Sequence, residues 1–352
     1  MMRERRDIVA LWHDSDSAVL ATLVGVQGSS YRRPGARLLI ASDGRYAGAI
    51  SGGCLEAELI RKARWSVRDG AVVQRFSTAF DDTTDIPYGL GCGGTVDVLL
   101  EPSGTPEFNA ILHALEASIE GNAQIVRTWL PDADQPLRRS IRPVADVEEG
   151  ESLPSFQDQD GVIEELLLPP QRLVVCGAGD DARPIAALAA MMGWDVVVAD
   201  GRAQWARPDR FPEAKLVQLV THPARFPLRA GDAVIAMTHS YEQDREWLAA
   251  ALPLGVRYLG LLGSRHRSAL LISEAAAALN WPVARVCEQV FAPVGLDLGG
   301  DGAESIALAI VAEIQARCEG KLGASQRMTA ALVAEQIAKG GASRYLQTQC
   351  AL

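Results

Sequence analysis

The 352-residue sequence contains no apolar run approaching the roughly 20 residues that a membrane-spanning helix requires. It has no excess of positive charge either: 34 Lys and Arg face 44 Asp and Glu, a formal net charge of −10. Nucleic acid and anionic membrane surfaces are therefore not expected as partners, and any anionic ligand must be held by a local device. The six cysteines, at positions 54, 92, 176, 287, 318 and 350, include no Cys-x-x-Cys pair. A zinc ribbon is thereby disfavoured, and the scatter of the cysteines argues against a disulfide scaffold. A reducing cytoplasm is the expected setting. The opening segment MMRERRDIVALWHDSDS has charges but no apolar signal core, so it reads as the start of a helix. Against these absences stand 48% hydrophobic and 22% charged residues, in a chain long enough for two cores.

The most informative stretch runs from Leu173 to Asp200. Leu173 to Cys176 have the continuous apolar character of a strand buried on both faces. Gly177, Ala178 and Gly179 form a turn, and Ile185, Leu188, Ala189 and Met192 then recur at helical spacing until Gly193. Val196 to Ala199 make the next strand, with Asp200 at its end, 23 residues after Gly177. This order predicts a Rossmann-like, doubly wound parallel sheet over residues 170–318, with Ala182 in the last glycine position of the fingerprint. Gly177 and Gly179 at a helix N-terminus would hold a phosphate, and Asp200 a ribose hydroxyl, of NAD(P) or another nucleotide. Asp180 and Asp181 stand where a pyrophosphate would approach and would repel it. The strand Asp232 to Met237 ends in Thr238-His239-Ser240, with Asp244 one helical turn on. That places Thr238, His239 and Asp244 where open α/β sheets bind ligands. Asp301 and Glu304 read as N-cap and capping box of a final helix.

Residues 1–130 predict a mixed α+β domain. Strands over Ala18–Val26, Arg37–Ala41 and Tyr46–Ile50 follow the opening helix, and Asp43-Gly44 is a hairpin signal. Antiparallel succession puts the loop QGSSYRRPGA and the turn Ser51-Gly52-Gly53-Cys54 on one rim. Arg32, Arg33, the glycine turn and a helix N-terminus there would favour an anion, and Cys54 in the first helical turn would favour a thiolate. A second turn, Gly89-Leu90-Gly91-Cys92-Gly93-Gly94, leads into a strand beginning at Thr95. The plain alternative is two tight turns with inert, buried thiols. After a helix over Thr105–Glu120 and a strand over Gln124–Leu130, residues 131–169 turn acidic and read as a linker at the domain boundary, with room for one hairpin. Residues 319–352 predict a helical tail, with one amphipathic helix over Met328–Ile337.

Together GSSYRRPGARLLI, AISGGCLEAEL, YGLGCGGTVDVLLEP, GAGDDARPIAALAAMMGWDVVVADGR, MTHSYEQD, LGLLGSRHR and APVGLDLGGDGAESIALAIVAEI resemble the xanthine dehydrogenase accessory (XdhC/CoxI) family. The DDARPI turn and both cysteine turns are more similar to its CoxI-like branch. The resemblance implies a cytoplasmic maturation factor that holds the molybdenum cofactor, as molybdopterin or its dinucleotide form, without turnover of its own. It further implies support of sulfuration with a cysteine desulfurase and delivery to a molybdenum hydroxylase apoenzyme; a homodimer is expected. On this view Arg32 and Arg33 hold the phosphate or pyrophosphate, Gly52 and Gly53 assist, and Cys54, Cys92 and Gly93 lie near the metal. Two alternatives stay open: an NAD(P)-dependent oxidoreductase with His239 as acid–base, and a sulfurtransferase carrying persulfide on Cys54 or Cys92.

Overall fold

A computed structural model describes residues 2–28, 30–77, 94–146, 157–159 and 161–323, and strand pairing organises them into three sheets. The chain opens with helix α1 (Met2–His13), then β1 (Ala18–Gln27), β2 (Arg37–Ala41), β3 (Tyr46–Gly48), α2 (Cys54–Ser66), β4 (Val72–Ser77) and β5 (Thr95–Pro102). These strands form a sheet ordered β3-β2-β1-β5-β4, antiparallel at every step. Side chains alternate across it with period two. Val19, Ala21 and Leu23 face Leu55, Leu59 and Ala63 of α2. Ala18, Leu20 and Leu39 meet Ile8 and Val9 of α1 on the other side, together with Phe108 and Ile111 of α3 (Pro106–Ile119). Thr105 starts α3 by accepting the Phe108 N–H on its hydroxyl at 3.2 Å.

The stretch expected as an acidic linker holds strands instead. β6 (Gln124–Trp129) pairs on one side with β7 (Arg138–Pro143) and on the other with β9 (Val162–Leu167), and β8 (Gln157–Gln159) continues that sheet. Its inner face packs beside α1 and α3, with Leu137 and Ile163 against Val24 and Leu99 of the first sheet. The composition misled because its charges are partly internal. Glu165 is paired with Arg37 of β2, and Arg139 reaches Glu101 of β5 at 2.7 Å with both side chains buried. Charges spent on such contacts look the same in a composition count as solvated ones.

The third sheet comprises β10 (Arg172–Cys176), β11 (Asp195–Asp200), β12 (Leu216–Leu219), β13 (Ala233–Ala236), β14 (Tyr258–Leu261) and β15 (Val290–Phe291). Its order is β12-β11-β10-β13-β14-β15 and every pair is parallel. Helices α4 (Ala182–Met191) and α8 (Ala303–Cys318) cover one face; α5 (Tyr241–Ala251), α6 (Arg265–Leu279) and α7 (Val283–Cys287) cover the other. The doubly wound Rossmann-like fold is therefore present, with its topological switch between β10 and β13. The expected cap of α8 is corrected. The helix begins at Ala303, so its N-cap is Gly302 at φ 96°, and Asp301 lies one residue too early. The first turn of α1 lies on the turn between α4 and β11: Arg6 Nη2 is 2.7 Å from Asp195 Oδ1, and a Cβ on Gly193 would stand 2.7 Å from the Arg3 nitrogen. Among the described residues no helix is long and apolar enough to cross a membrane. The amphipathic helix expected over Met328–Ile337 lies outside the described residues.

Gly177, at the exit of β10, has φ 127°, and a Cβ there would stand 2.4 Å from the Met237 carbonyl oxygen. The two central strands can approach only because this side chain is absent. Gly177→Ala is expected to cost about 3 kcal/mol or more, since it adds overpacking to backbone strain. Gly121→Ala, at φ 111° with nothing within 4 Å, carries the strain alone and should cost about 1 kcal/mol. Urea unfolding of both variants checks the difference; equal losses would remove the close-approach argument.

Candidate functional site

The rim of the first sheet follows from strand direction. β1 ends and β2 begins at one edge, because Thr22 pairs with Arg37; β3 returns to that edge, because Gly48 pairs with Leu38. β4 and β5 meet there as well, Ser77 opposite Thr95 and Thr95 opposite Gln27. The Arg32 loop and the turn before α2 touch directly: a Cβ on Gly52 would lie 3.9 Å from the Tyr31 ring. The strand ends flanking residues 78–93 therefore share this edge, although Cys92 and Gly93 themselves lie outside the described residues.

The devices expected to hold an anion on this rim already have partners within the chain. Arg32 grips Glu4 of α1 through both oxygens, at 2.8 and 2.5 Å. Hydrogen bonding from Arg32 holds the Glu4 carboxyl below its ordinary value. Gly53, the N-cap of α2 at φ 114°, donates its N–H to Glu56 at 2.9 Å, and the N–H groups of Ile50 and Ser51 donate to the same carboxylate at 2.9 and 2.6 Å. Burial would raise the Glu56 carboxyl, but hydrogen bonds from Ser51 and the backbone outweigh it and hold the group low. Glu56 thus fills the positive end of α2. Gly52 stands outside that network and is exposed; Arg33 is exposed and has no ion pair among the described residues. Cys54 is the first residue of α2. Glu56 was legible in the sequence as the acid three residues after a helix-starting glycine, whereas nothing local marks Glu4 as the partner of Arg32.

The second group lies at the carboxyl ends of β10, β11 and β13. Asp200 is buried, and its carboxylate accepts from the Ala178 N–H at 2.7 Å, the Arg202 N–H at 2.8 Å and the Arg202 guanidinium at 2.7 and 2.9 Å. It holds the glycine turn in place, which leaves it ill suited to a ribose hydroxyl. Burial pushes its carboxyl up, yet the bonds from Arg202 and Ala178 win and hold it below the ordinary value. Thr238 is also buried and structural: its N–H and hydroxyl donate to Asp244 at 3.0 and 2.8 Å, while Arg267 holds the other Asp244 oxygen at 2.6 Å. His239 adopts φ 61°, rare for a residue with a Cβ, and its Nε2 lies 3.0 Å from Asp181 Oδ2. The other Asp181 oxygen is buried without a partner and lies over Gly179, where it would be 2.5 Å from an added Cβ. Asp180 pairs with Arg210 at 2.8 Å, which offsets part of the anion repulsion expected at this turn. The candidate residues therefore assemble as two groups, one per half. Among the described residues no cluster of three or more His, Cys, Asp or Glu could hold a metal ion.

Because the folded Asp200 carboxyl titrates below its unfolded counterpart, its contribution is present above about pH 4 and is lost as the pH falls through the folded value. Asp200→Asn should cost about 1–3 kcal/mol at pH 7. Denaturant unfolding at pH 7 and near pH 3 measures the gap between variant and wild type, and the gap should narrow in acid. A gap independent of pH would show that the carboxylate charge is not what holds the turn.

Comparison with known proteins follows both halves. Residues 173–314 match the XdhC Rossmann domain, and residues 11–77 match the XdhC and CoxI family. A Bacillus subtilis (strain 168) protein, named as a probable subunit of xanthine dehydrogenase, is 32% identical over 342 residues, 87% of this chain and 94% of its own length. The molybdenum cofactor insertion chaperone PaoD of Escherichia coli (strain K12) is 28% identical across 84% of this chain and 82% of its own. A crystal structure from Bacillus halodurans, described as a xanthine dehydrogenase, superposes with a TM-score of 0.76 at 26% identity, covering 94% of this chain and 99% of that one. With both halves matched and a relative aligned along nearly its whole length, the chain belongs to the XdhC and CoxI family.

Proposed function

We propose that the protein is a maturation chaperone that binds the molybdenum cofactor, supports its sulfuration and aids its insertion into a molybdenum hydroxylase of the xanthine dehydrogenase type. The observation that carries this reading is the convergence, on one edge of the first sheet, of the Arg32 loop, the Gly52–Cys54 turn and the strand ends that flank Cys92. The cofactor brings a thiophilic metal and an anionic phosphate or pyrophosphate, and a rim of arginines, glycine turns and thiols suits both. Arg33 is exposed for the anion, and Arg32 becomes available when Glu4 yields it. Gly53 has open space where a side chain would stand, and the Tyr31 ring beside Gly52 offers a flat apolar face to a planar group. Cys54 and Cys92 supply the soft ligands, with Gly93 beside Cys92. The names of the Bacillus subtilis and Escherichia coli relatives, one tied to xanthine dehydrogenase and the other to cofactor insertion, support the same reading. A cysteine desulfurase as sulfur source, a cytoplasmic setting and a homodimer belong to this proposal.

An NAD(P)-dependent oxidoreductase fits less well, because the Asp200 carboxylate that would hold a ribose is spent on Ala178 and Arg202. A crevice ligand other than a dinucleotide remains compatible with Gly177, Gly179 and His239. The test is anaerobic titration of the full chain with isolated cofactor, read by bound molybdenum and pterin, for wild type, Cys54→Ala and Cys92→Ala. Each cysteine variant should retain its thermal midpoint and lose binding about tenfold or more, and both should fail to mature apo-hydroxylase. Normal binding and maturation by both variants would reduce the thiols to bystanders. Robust substrate-dependent NAD(P)H oxidation by pure protein would replace the chaperone reading with the enzymatic one.

A further inference from the structure

Beneath the rim, where α1 and α3 cross the start of β2, lies a small open recess of about 30 Å³. It offers space for about two water molecules while Glu4 stands on its wall, and movement of that side chain would enlarge it. Arg5 and Glu4 of α1, Arg32 of the rim loop and Arg37 of β2 line it. Three guanidinium groups in so small a volume are unusual for a protein of net charge −10. Among the described residues two carboxylates pair with them, Glu4 with Arg32 and Glu165 with Arg37, and Glu56 acts on Arg32 from further away. Among the described residues Arg5 has no ion pair, and it donates instead to the Ser118 hydroxyl and the Leu168 carbonyl, each at 2.8 Å. Burial, reinforced by the nearby Arg37 charge, pushes the Arg5 guanidinium down to about 10.

A second observation is independent of that charge count. Arg37 is 8% exposed, and its Nε–H is buried with no hydrogen-bond partner among the described residues. Its cross-strand neighbour Thr22 is 6% exposed and also keeps a buried, unpartnered hydroxyl. Directly opposed residues share a sheet face, so two donors wait side by side at this end of the sheet. A buried donor left unmade costs about 1–3 kcal/mol, and more on a charged group. Of the two, Arg37 lines the recess, and an acceptor with several oxygens there would meet its donor and offset the unmatched charge.

We infer that this recess is a phosphate-type oxyanion site, built by Arg5, Arg32 and Arg37, which an anion enters by taking Arg32 from Glu4. With Glu4 turned away from Arg32, the three arginines still share the recess with the Glu4 and Glu165 carboxylates, which leaves one positive charge in surplus. A phosphate-type oxyanion supplies both the negative charge and the several acceptor oxygens that this surplus and the unpartnered Arg37 Nε–H call for. The occupant is either free inorganic phosphate or the terminal phosphate of a larger molecule whose body stays on the rim. The site shares Arg32 with the cofactor reading above but is argued from the recess alone, and inorganic phosphate tests it without any cofactor.

The experiment titrates the full chain with inorganic phosphate, with glycerol phosphate and with chloride, read by calorimetry and by the shift in thermal midpoint. Saturable binding of inorganic phosphate is expected, with chloride failing to compete at equal concentration. Binding of glycerol phosphate as well would identify a site for an esterified terminus; binding of inorganic phosphate alone would identify a site for the free ion. Arg32→Gln should weaken binding about tenfold or more, whereas Glu4→Gln, which releases Arg32, should strengthen it. Both positions are half-buried, so the fold should survive, and a gain in affinity cannot arise from misfolding. No saturable phosphate binding, chloride competing equally, or unchanged affinity in both variants would overturn the site. Phosphate binding in a chain that fails to bind cofactor would leave the recess standing and remove the chaperone reading instead.

Discussion

Antiparallel pairing in the first sheet is the constraint on which the rest of the candidate chemistry depends. Because neighbouring strands reverse direction, the connections β1–β2 and β4–β5 leave and return at one edge, where β3 also ends before α2 carries the chain across to the far start of β4. The loop carrying Arg32 and Arg33, the turn before Cys54 and the connection between Ser77 and Thr95 are thus gathered without any contact designed to gather them. In the parallel sheet the same role falls to strand polarity, which puts Gly177 and Thr238 at one end on either side of the switch. Each of these two sheets gathers its candidate residues at one edge, and the two edges are made by different rules.

Both edges are electrostatically closed from within. Glu4 holds Arg32, Glu56 fills the N-terminus of α2, and Asp200 ties the glycine turn while Asp181 holds His239. A ligand must therefore compete with a carboxylate at nearly every position where its own charge would be welcome. Such competition lowers affinity, since each charge-assisted contact displaced is worth about 1.5–3 kcal/mol. It also lets the site release what it holds. For the chaperone proposed above, which would hand over a cofactor, weak retention is a useful property.

Most of the fold was legible in the sequence, and the reasons are local. The run Leu173 to Cys176, its glycine turn and the helix stopping at Gly193 announce themselves through periodicity and backbone requirements. The hairpin at Asp43-Gly44 and the start of β5 at Thr95 are equally local. The stretch between Pro131 and Pro170 was not legible, because its strands take their register from β6 and its acids from distant arginines. The site divides in the same way. Strand direction alone brought the Arg32 loop to the Cys54 turn. The partners that decide whether those groups are available, Glu4 from 28 residues away and Asp181 from 58, have no signature in a one-dimensional pattern.

Helix α1 carries one more consequence. Glu4 reaches the rim, Arg5 the interior and Arg6 the turn after α4, so three successive side chains of one short helix touch three separate parts of the molecule. Successive residues on a helix point about 100° apart, and the backbone between them is stiff. A rotation or slide of α1 therefore cannot satisfy one neighbour without loading the others. Whatever loosens Glu4 from the first sheet is felt at Asp195, beside the second half's first crossover, and a partner that presses on that crossover reaches back to the rim through the same rod.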